Sequence, residues 1–121
     1  MKILIADDDR TIHISFTKFL TEQGHELLHA YDGTEALKLA LAERPDLILL
    51  DITMPGGDGR NICQQLKSSP ETAPIKIIML TARESQHDRT LALELGADDF
   101  ITKPCSIPYL DRAISKLMRK P

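Results

Sequence analysis

Asp51 follows the apolar run Leu47-Ile48-Leu49-Leu50, and three further apolar runs also end in polar groups: Ile3-Leu4-Ile5-Ala6 in Asp7-Asp8-Asp9, Ile77-Ile78-Met79-Leu80 in Thr81, and Phe100-Ile101-Thr102 in Lys103-Pro104. Open α/β sheets put their chemistry at the carboxyl ends of strands, so these groups should converge on one pocket. Carboxylates held close together raise one another's pKa unless a cation joins them. Hard oxygen ligands suit Mg²⁺, which takes one or two carboxylates together with waters and phosphate oxygens. A lysine at the same edge can hold a phosphoryl oxygen as a point charge. Singly, each residue also has a plain reading: Asp9 as a helix cap, Lys103 as a solvated loop residue, Thr81 as a strand end bonding its own backbone. Independent surface residues, however, need not all fall on the same end of their strands.

The elements that must carry these groups are legible as patterns. Short apolar runs predict buried parallel strands over 2–6, 47–50 and 75–80, with shorter strands near 26–29 and 99–102. Between them lie helical stripes. Asp9 caps the first helix, whose apolar face is Ile12, Phe16, Phe19 and Leu20 and which Gly24 ends. Asp32-Gly33-Thr34-Glu35 reads as a capping box for the second, which stops before Pro45. The third runs from about Arg60 to Lys67 over Ile62, Cys63 and Leu66, and Ser68–Pro74 is a breaker-rich loop. The fourth spans about 85–95, with Gly96 as a left-handed cap. The fifth opens near Ser106 and buries Ile107, Leu110, Ile114, Leu117 and Met118. Alternating strands and helices predict an α/β fold, (βα)₅, with a parallel sheet covered by helices.

At 121 residues the chain is read as one domain, 1–121, long enough for a core without staples. A net charge of −3 and only 4% aromatics argue against direct nucleic-acid binding. No apolar stretch is long enough to span a membrane, and the run after Met1-Lys2 is too short for a signal peptide. Cys63 and Cys105 form no framework pattern, so reduced thiols and a cytoplasmic setting are expected. His13, His25, His29 and His87 lack paired metal spacing and are read as surface or packing residues. Gly56-Gly57-Asp58-Gly59 lacks the Gly-Lys-Ser/Thr ending of a phosphate-cradling loop and is read as a turn.

Taken in order, Ile3–Asp9, Pro45–Asp51, Met54–Gly59, Leu80–Ala82 and Gly96–Pro104 resemble the receiver domain of two-component response regulators over essentially the whole chain. The resemblance implies a flavodoxin-like three-layer sandwich around a parallel five-stranded sheet of order 2-1-3-4-5, an order for which a chemotaxis receiver is a standard example. It implies that Asp51 accepts a phosphoryl group from a phosphohistidine on a sensor histidine kinase or a phosphotransfer protein. Asp7 and Asp8 would hold Mg²⁺, with Mn²⁺ an alternative: Asp8 directly, Asp7 through water. Asp51 and the main-chain carbonyl of Thr53 would complete the protein ligands. Thr81 and Lys103 would bond the phosphoryl group, the Lys103-Pro104 peptide would be cis, and Thr81 with Phe100 would form a switch. That switch would bias a face built from the fourth helix, fifth strand and fifth helix, acting on a downstream protein or on an output domain beyond Pro121. The resemblance extends to a phosphorylation-dependent dimer on that face, with one departure: the arginine one DNA-binding subfamily carries on the fifth helix would align with Ala113, next to Arg112. Thr53 and Arg83 occupy positions that tune dephosphorylation in the family.

An aspartyl-phosphate phosphatase of the haloacid-dehalogenase type needs a second aspartate two residues after the nucleophile, where this chain has Thr53. A flavin carrier on the same fold needs a Ser/Thr/Gly-rich loop after the first strand, where this chain has three aspartates. An adaptor that works without phosphorylation would not need the intact pocket. The domain is thus expected to catalyse only its own phosphorylation and dephosphorylation. Cys105 stands where the family more often has a bulky aromatic and is read as a small packing residue, with a redox-sensitive thiol as the alternative.

Overall fold

The computed structural model describes residues 1–54, 56–81, 90 and 93–118. Five strands, β1 (Lys2–Ala6), β2 (Glu26–Ala30), β3 (Leu47–Asp51), β4 (Lys76–Thr81) and β5 (Asp99–Thr102), form one sheet of order β2-β1-β3-β4-β5. Every neighbouring pair is parallel. α1 (Arg10–Glu22), α2 (Gly33–Glu43), α3 (Gly59–Ser68) and a C-terminal helix (Ile107–Met118) cover it. This is the flavodoxin-like three-layer sandwich that the family resemblance implies, and its parallel sheet covered by helices is what the alternating pattern predicts. Among the described residues no helix is long and apolar enough to cross a membrane. The predicted fourth helix lies mostly outside the described residues, as do Arg83 and His87.

Side chains alternate along each strand, so the sheet divides the apolar interior in two. Leu4, Ala6, Ile48, Leu50, Ile77 and Met79 pack on the side of Ala36 and Ala40 from α2 and Ile62 and Leu66 from α3. Ile3, Ile5, Leu47, Leu49, Ile78 and Leu80 pack on the other side, with Phe16 and Leu20 from α1 and Leu110 and Ile114 from the C-terminal helix. With both faces covered, the strand ends are where polar groups can gather.

The helix starts follow from their caps. Asp9 accepts from Thr11 N–H, Asp32 from Glu35 N–H and Asp58 from Arg60 N–H. Glu35 reaches back to Tyr31 N–H at 3.1 Å, one residue before the cap at which a capping box would close. α2 ends at Arg44, which adopts the left-handed conformation (φ 44°), one residue before Pro45. A two-stranded antiparallel ribbon, Thr53–Met54 with Gly57–Asp58, joins β3 to α3 and turns at Gly56 (φ 76°). Thr34 of α2 donates to Gly56 O at 3.0 Å, which ties the ribbon to the neighbouring helix.

At the opposite end of the sheet, Lys67 in the last turn of α3 donates to Ile75 O (2.6 Å) and Ala73 O (3.1 Å) and pairs with Asp98 at 3.0 Å. Asp98 also accepts from Ile77 N–H at 2.8 Å. One ammonium therefore joins α3, the loop before β4 and the start of β5. Within that loop the buried Thr72 hydroxyl donates to Leu66 O at 2.6 Å.

Candidate functional site

Asp7, Asp51, Thr81 and Lys103 come together at the carboxyl edge because β1, β3 and β4 end in register and β5 runs on into Lys103. Asp7 lies just past β1, its N–H bonded to Ala30 O at 3.1 Å. Asp7 is 0%, Thr81 5% and Asp51 6% exposed, whereas Asp8 faces solvent. One carboxylate oxygen from each of Asp7, Asp8 and Asp51 lies within 4.8 Å of the others. Lys103 Nζ stands 2.8 Å from Asp7 Oδ2 and 3.5 Å from Asp51 Oδ2. Its backbone is held by a bond from Lys103 N–H to Thr81 O at 2.6 Å, and the Lys103-Pro104 peptide is cis.

The electrostatics follow from three carboxyl groups facing one ammonium. Burial would lower the Lys103 pKa, but contact with Asp7 and the charges of Asp51 and Asp7 outweigh it and raise the value. Asp7 Oδ1 accepts from Asp9 N–H at 2.8 Å. Asp7 Oδ2 is fully buried, and the Lys103 ammonium meets it at 2.8 Å in a charge-assisted pair. Three carboxylates within reach of one another, with Asp8 open to water, are a hard-oxygen ligand set that suits Mg²⁺.

α3 presses against the main chain of Asp51. Gly59 N–H bonds Ile52 O at 2.9 Å, and a β-carbon at Gly59 would overlap the Asp51 carbonyl oxygen and lie 2.9 Å from Ile52 Cα. Thr53 opens the ribbon two residues beyond Asp51, paired with Asp58. Phe100 pairs with Met79 and packs in the same core, and the two-residue period places Thr81 on that same face.

His13, expected from sequence to be a surface or packing residue, is packed, and its contacts lead to the site. It is buried on α1, with Nε2 2.7 Å from Asp7 O and Nδ1 2.9 Å from His29 Nδ1. Burial, then the charge of His13, lowers the His29 pKa. A signal was present: His13 stands three residues before Phe16 and seven before Leu20, on the buried stripe of its helix. Cys63 is buried in the α2–α3 core, and burial pushes its thiol up to about 11. Cys105 packs at the edge of the other core, and burial raises its pKa as well.

A family model of the response regulator receiver domain matches residues 3–115. Among solved structures, the receiver domain of a signal transduction histidine kinase from Syntrophus aciditrophicus is 37% identical, covering 99% of this chain and 94% of that one at a TM-score of 0.87. The receiver domain of the sensor histidine kinase PA1611 from Pseudomonas aeruginosa, described with a magnesium ion coordinated in its active-site cleft, is 28% identical over 96% of this chain and 95% of that one, TM-score 0.86. The BeF3-activated N-terminal receiver domain of Klebsiella pneumoniae RstA is 29% identical over 99% and 100%, TM-score 0.89. With its acidic edge, its sheet order and a family match over most of its length, the chain belongs to the response regulator receiver domains of two-component systems.

Proposed function

We propose that this receiver domain accepts a phosphoryl group on Asp51 from a phosphohistidine of a sensor histidine kinase or phosphotransfer protein. The observation that carries the reading is the convergence of Asp7, Asp8 and Asp51 on one point with Lys103 bridging two of them. An Asp51 carboxylate oxygen forms a bond to phosphorus as the histidine nitrogen leaves. Transfer of this kind is mostly positioning and charge stabilisation. Lys103 donates to an equatorial phosphoryl oxygen, and the Thr81 hydroxyl bonds another. Asp7, Asp8, Asp51 and the Thr53 carbonyl would hold Mg²⁺, or Mn²⁺, which when bound neutralises charge on the phosphoryl oxygens. The magnesium described in the cleft of the PA1611 receiver supports this assignment.

The product is a mixed anhydride that water cleaves, so the domain turns over only its own phosphoryl group. A general acid two residues after Asp51 is lacking, since Thr53 stands there. Phosphorylation adds about 1.5–2 negative charges and new acceptor oxygens at the strand ends. Thr81 moves toward them, and Phe100, on the same face, takes up the vacated space. The surface of β5, the C-terminal helix and the segment before Gly96 then changes affinity for a downstream protein, an output domain or a second receiver. Activation of the RstA receiver by BeF3 is consistent with such a response.

The test is Mg²⁺-dependent labelling by acetyl phosphate. Wild-type protein should incorporate one phosphoryl group and Asp51→Asn none. Unlabelled wild type, or undiminished labelling of Asp51→Asn, overturns the reading.

A further inference from the structure

We infer that His13 is a positioning residue that holds the acidic turn in its metal-binding shape and thereby sets the affinity of the site for Mg²⁺. The inference rests on the Mg²⁺ reading proposed above and extends it to a residue that cannot itself touch the ion or the phosphoryl group.

The argument begins at Asp7, whose main chain is gripped on both sides. Its N–H bonds Ala30 O of β2 at 3.1 Å, and its carbonyl is 2.7 Å from His13 Nε2. A carbonyl oxygen only accepts, so Nε2 carries the hydrogen. The two Nδ1 atoms meet at 2.9 Å, so one ring donates and the other accepts, and His13 has a second hydrogen bond whichever way it runs. His29 pairs with Ile5 on the edge strand, so this second bond runs from the sheet to α1 across the turn that bears Asp7 and Asp8. Tyr31 stacks on the His13 ring at 4.2 Å, and the Arg10 guanidinium lies over Tyr31 at 4.5 Å. The ring is therefore fixed by hydrogen bonds at both nitrogens and by an aromatic face.

The peptide that His13 holds is the one joining Asp7 to Asp8, so both carboxylates depend on its orientation. Without the Nε2 donor, the buried Asp7 carbonyl loses its partner, and rotation of that peptide carries Asp8 away from Asp7 and Asp51. Outer-shell groups that orient metal ligands typically change metal affinity by about 10–100-fold when removed. A histidine used only to fill space would show no such dependence.

The experiment is calorimetric titration of Mg²⁺ into wild type, His13→Gln, His13→Asn and His13→Leu, with folding followed by circular dichroism. Glutamine places an amide N–H where Nε2 lies, whereas asparagine places it near Nδ1, short of the Asp7 carbonyl. Wild type and His13→Gln should bind within about threefold of each other, and His13→Asn and His13→Leu should bind roughly tenfold or more weakly. Long-range ¹H–¹⁵N spectra of the metal-free wild type should show His13 protonated at Nε2. Wild-type affinity in both His13→Asn and His13→Leu overturns the inference and leaves the functional reading standing. So does a His13→Gln as weak as His13→Leu, since packing alone would then explain the loss. If His13→Leu does not fold, the contrast between glutamine and asparagine decides. Wild-type protein that binds no Mg²⁺ overturns the functional reading and this inference together.

Discussion

Lys103 Nζ lies 2.8 Å from Asp7 Oδ2 and 3.5 Å from Asp51 Oδ2, so one ammonium is shared between the buried floor of the acidic site and the proposed phosphoacceptor. Replacing it separates two roles. Lys103→Met should accept phosphoryl groups from acetyl phosphate far more slowly than wild type. The same variant should bind Mg²⁺ more tightly, by roughly thirtyfold, because repulsion between the ammonium and a doubly charged ion, about 2 kcal/mol at 4 Å in water-like screening, is gone. Labelling rates and calorimetry on one preparation check both. Weaker Mg²⁺ binding would show that Lys103 organises the carboxylates more than it competes for them.

The same pair has a pH signature. The Lys103 pKa is raised in the folded protein, so its contribution to stability is complete below the ordinary lysine value of about 10.4 and is lost as pH rises through the higher folded value. Urea unfolding between neutral pH and strong alkali should show the gap between wild type and Lys103→Met closing only in that alkaline range. A gap that closes near neutrality would point to a different group.

Gly59→Ala should be more harmful than a surface glycine replacement, because its β-carbon overlaps the Asp51 carbonyl. Overpacking of this kind costs about 1–3 kcal/mol, and here the displaced atoms belong to the phosphoacceptor's own peptide. Denaturant unfolding should register the loss, and acetyl phosphate labelling should fall with it. At Gly24 a β-carbon would meet nothing within 4 Å but the backbone φ of 90° disfavours alanine, so Gly24→Ala should lower stability while leaving labelling of the folded protein intact.

Lys67→Met tests the far end of the sheet. The pair with Asp98 is 17% and 21% exposed at its two side chains, so its loss should cost about 2–3 kcal/mol, less than the ~3–5 of a fully buried pair. Phosphoryl acceptance should be unchanged in the folded fraction. A labelling defect without a stability defect would mean that the two ends of the sheet are coupled.

The two thiols should differ. Cys63 is buried with its pKa pushed up to about 11, and Cys105 is half-buried with its pKa also raised by burial. Iodoacetamide at mildly alkaline pH should modify Cys105 slowly and Cys63 only on unfolding. Mass spectrometry of peptides against time distinguishes them.

The strands were legible because each is a short apolar run that stops at a polar residue, and β4 departs from its expected 75–80 only by a one-residue shift to Lys76–Thr81. The carboxylate cluster was legible for the same reason: sheet topology converts sequence position at a strand end into spatial proximity. The ribbon was not legible, since Thr53–Met54 and Gly57–Asp58 are too short to carry a period and arise from the turn at Gly56 and the tie to Thr34. The capping box at Asp32 was read correctly in its forward bond, while its return bond goes to Tyr31, a choice set by side-chain reach. For His13 the sequence carries the burial, through the stripe it shares with Phe16 and Leu20, but not the bond to Asp7 O, which depends on how α1 seats against the end of β1. The Lys67–Asp98 pair spans 31 residues and has no local signature.

A sheet packed on both faces has a consequence for how such a chain can diverge. A substitution in the middle of β1 or β3 is felt by one of two separate interiors and is filtered by folding alone. A substitution at a strand tip, at Asp7, Asp51 or Thr81, falls instead among the carboxylates and the Lys103 ammonium, and is felt through the chemistry of the site as well as through packing. The same strand therefore carries two evolutionary records: its body registers the demand to fold, and its tip registers the demand to signal. New specificities can accumulate at the tips while the scaffold stays fixed.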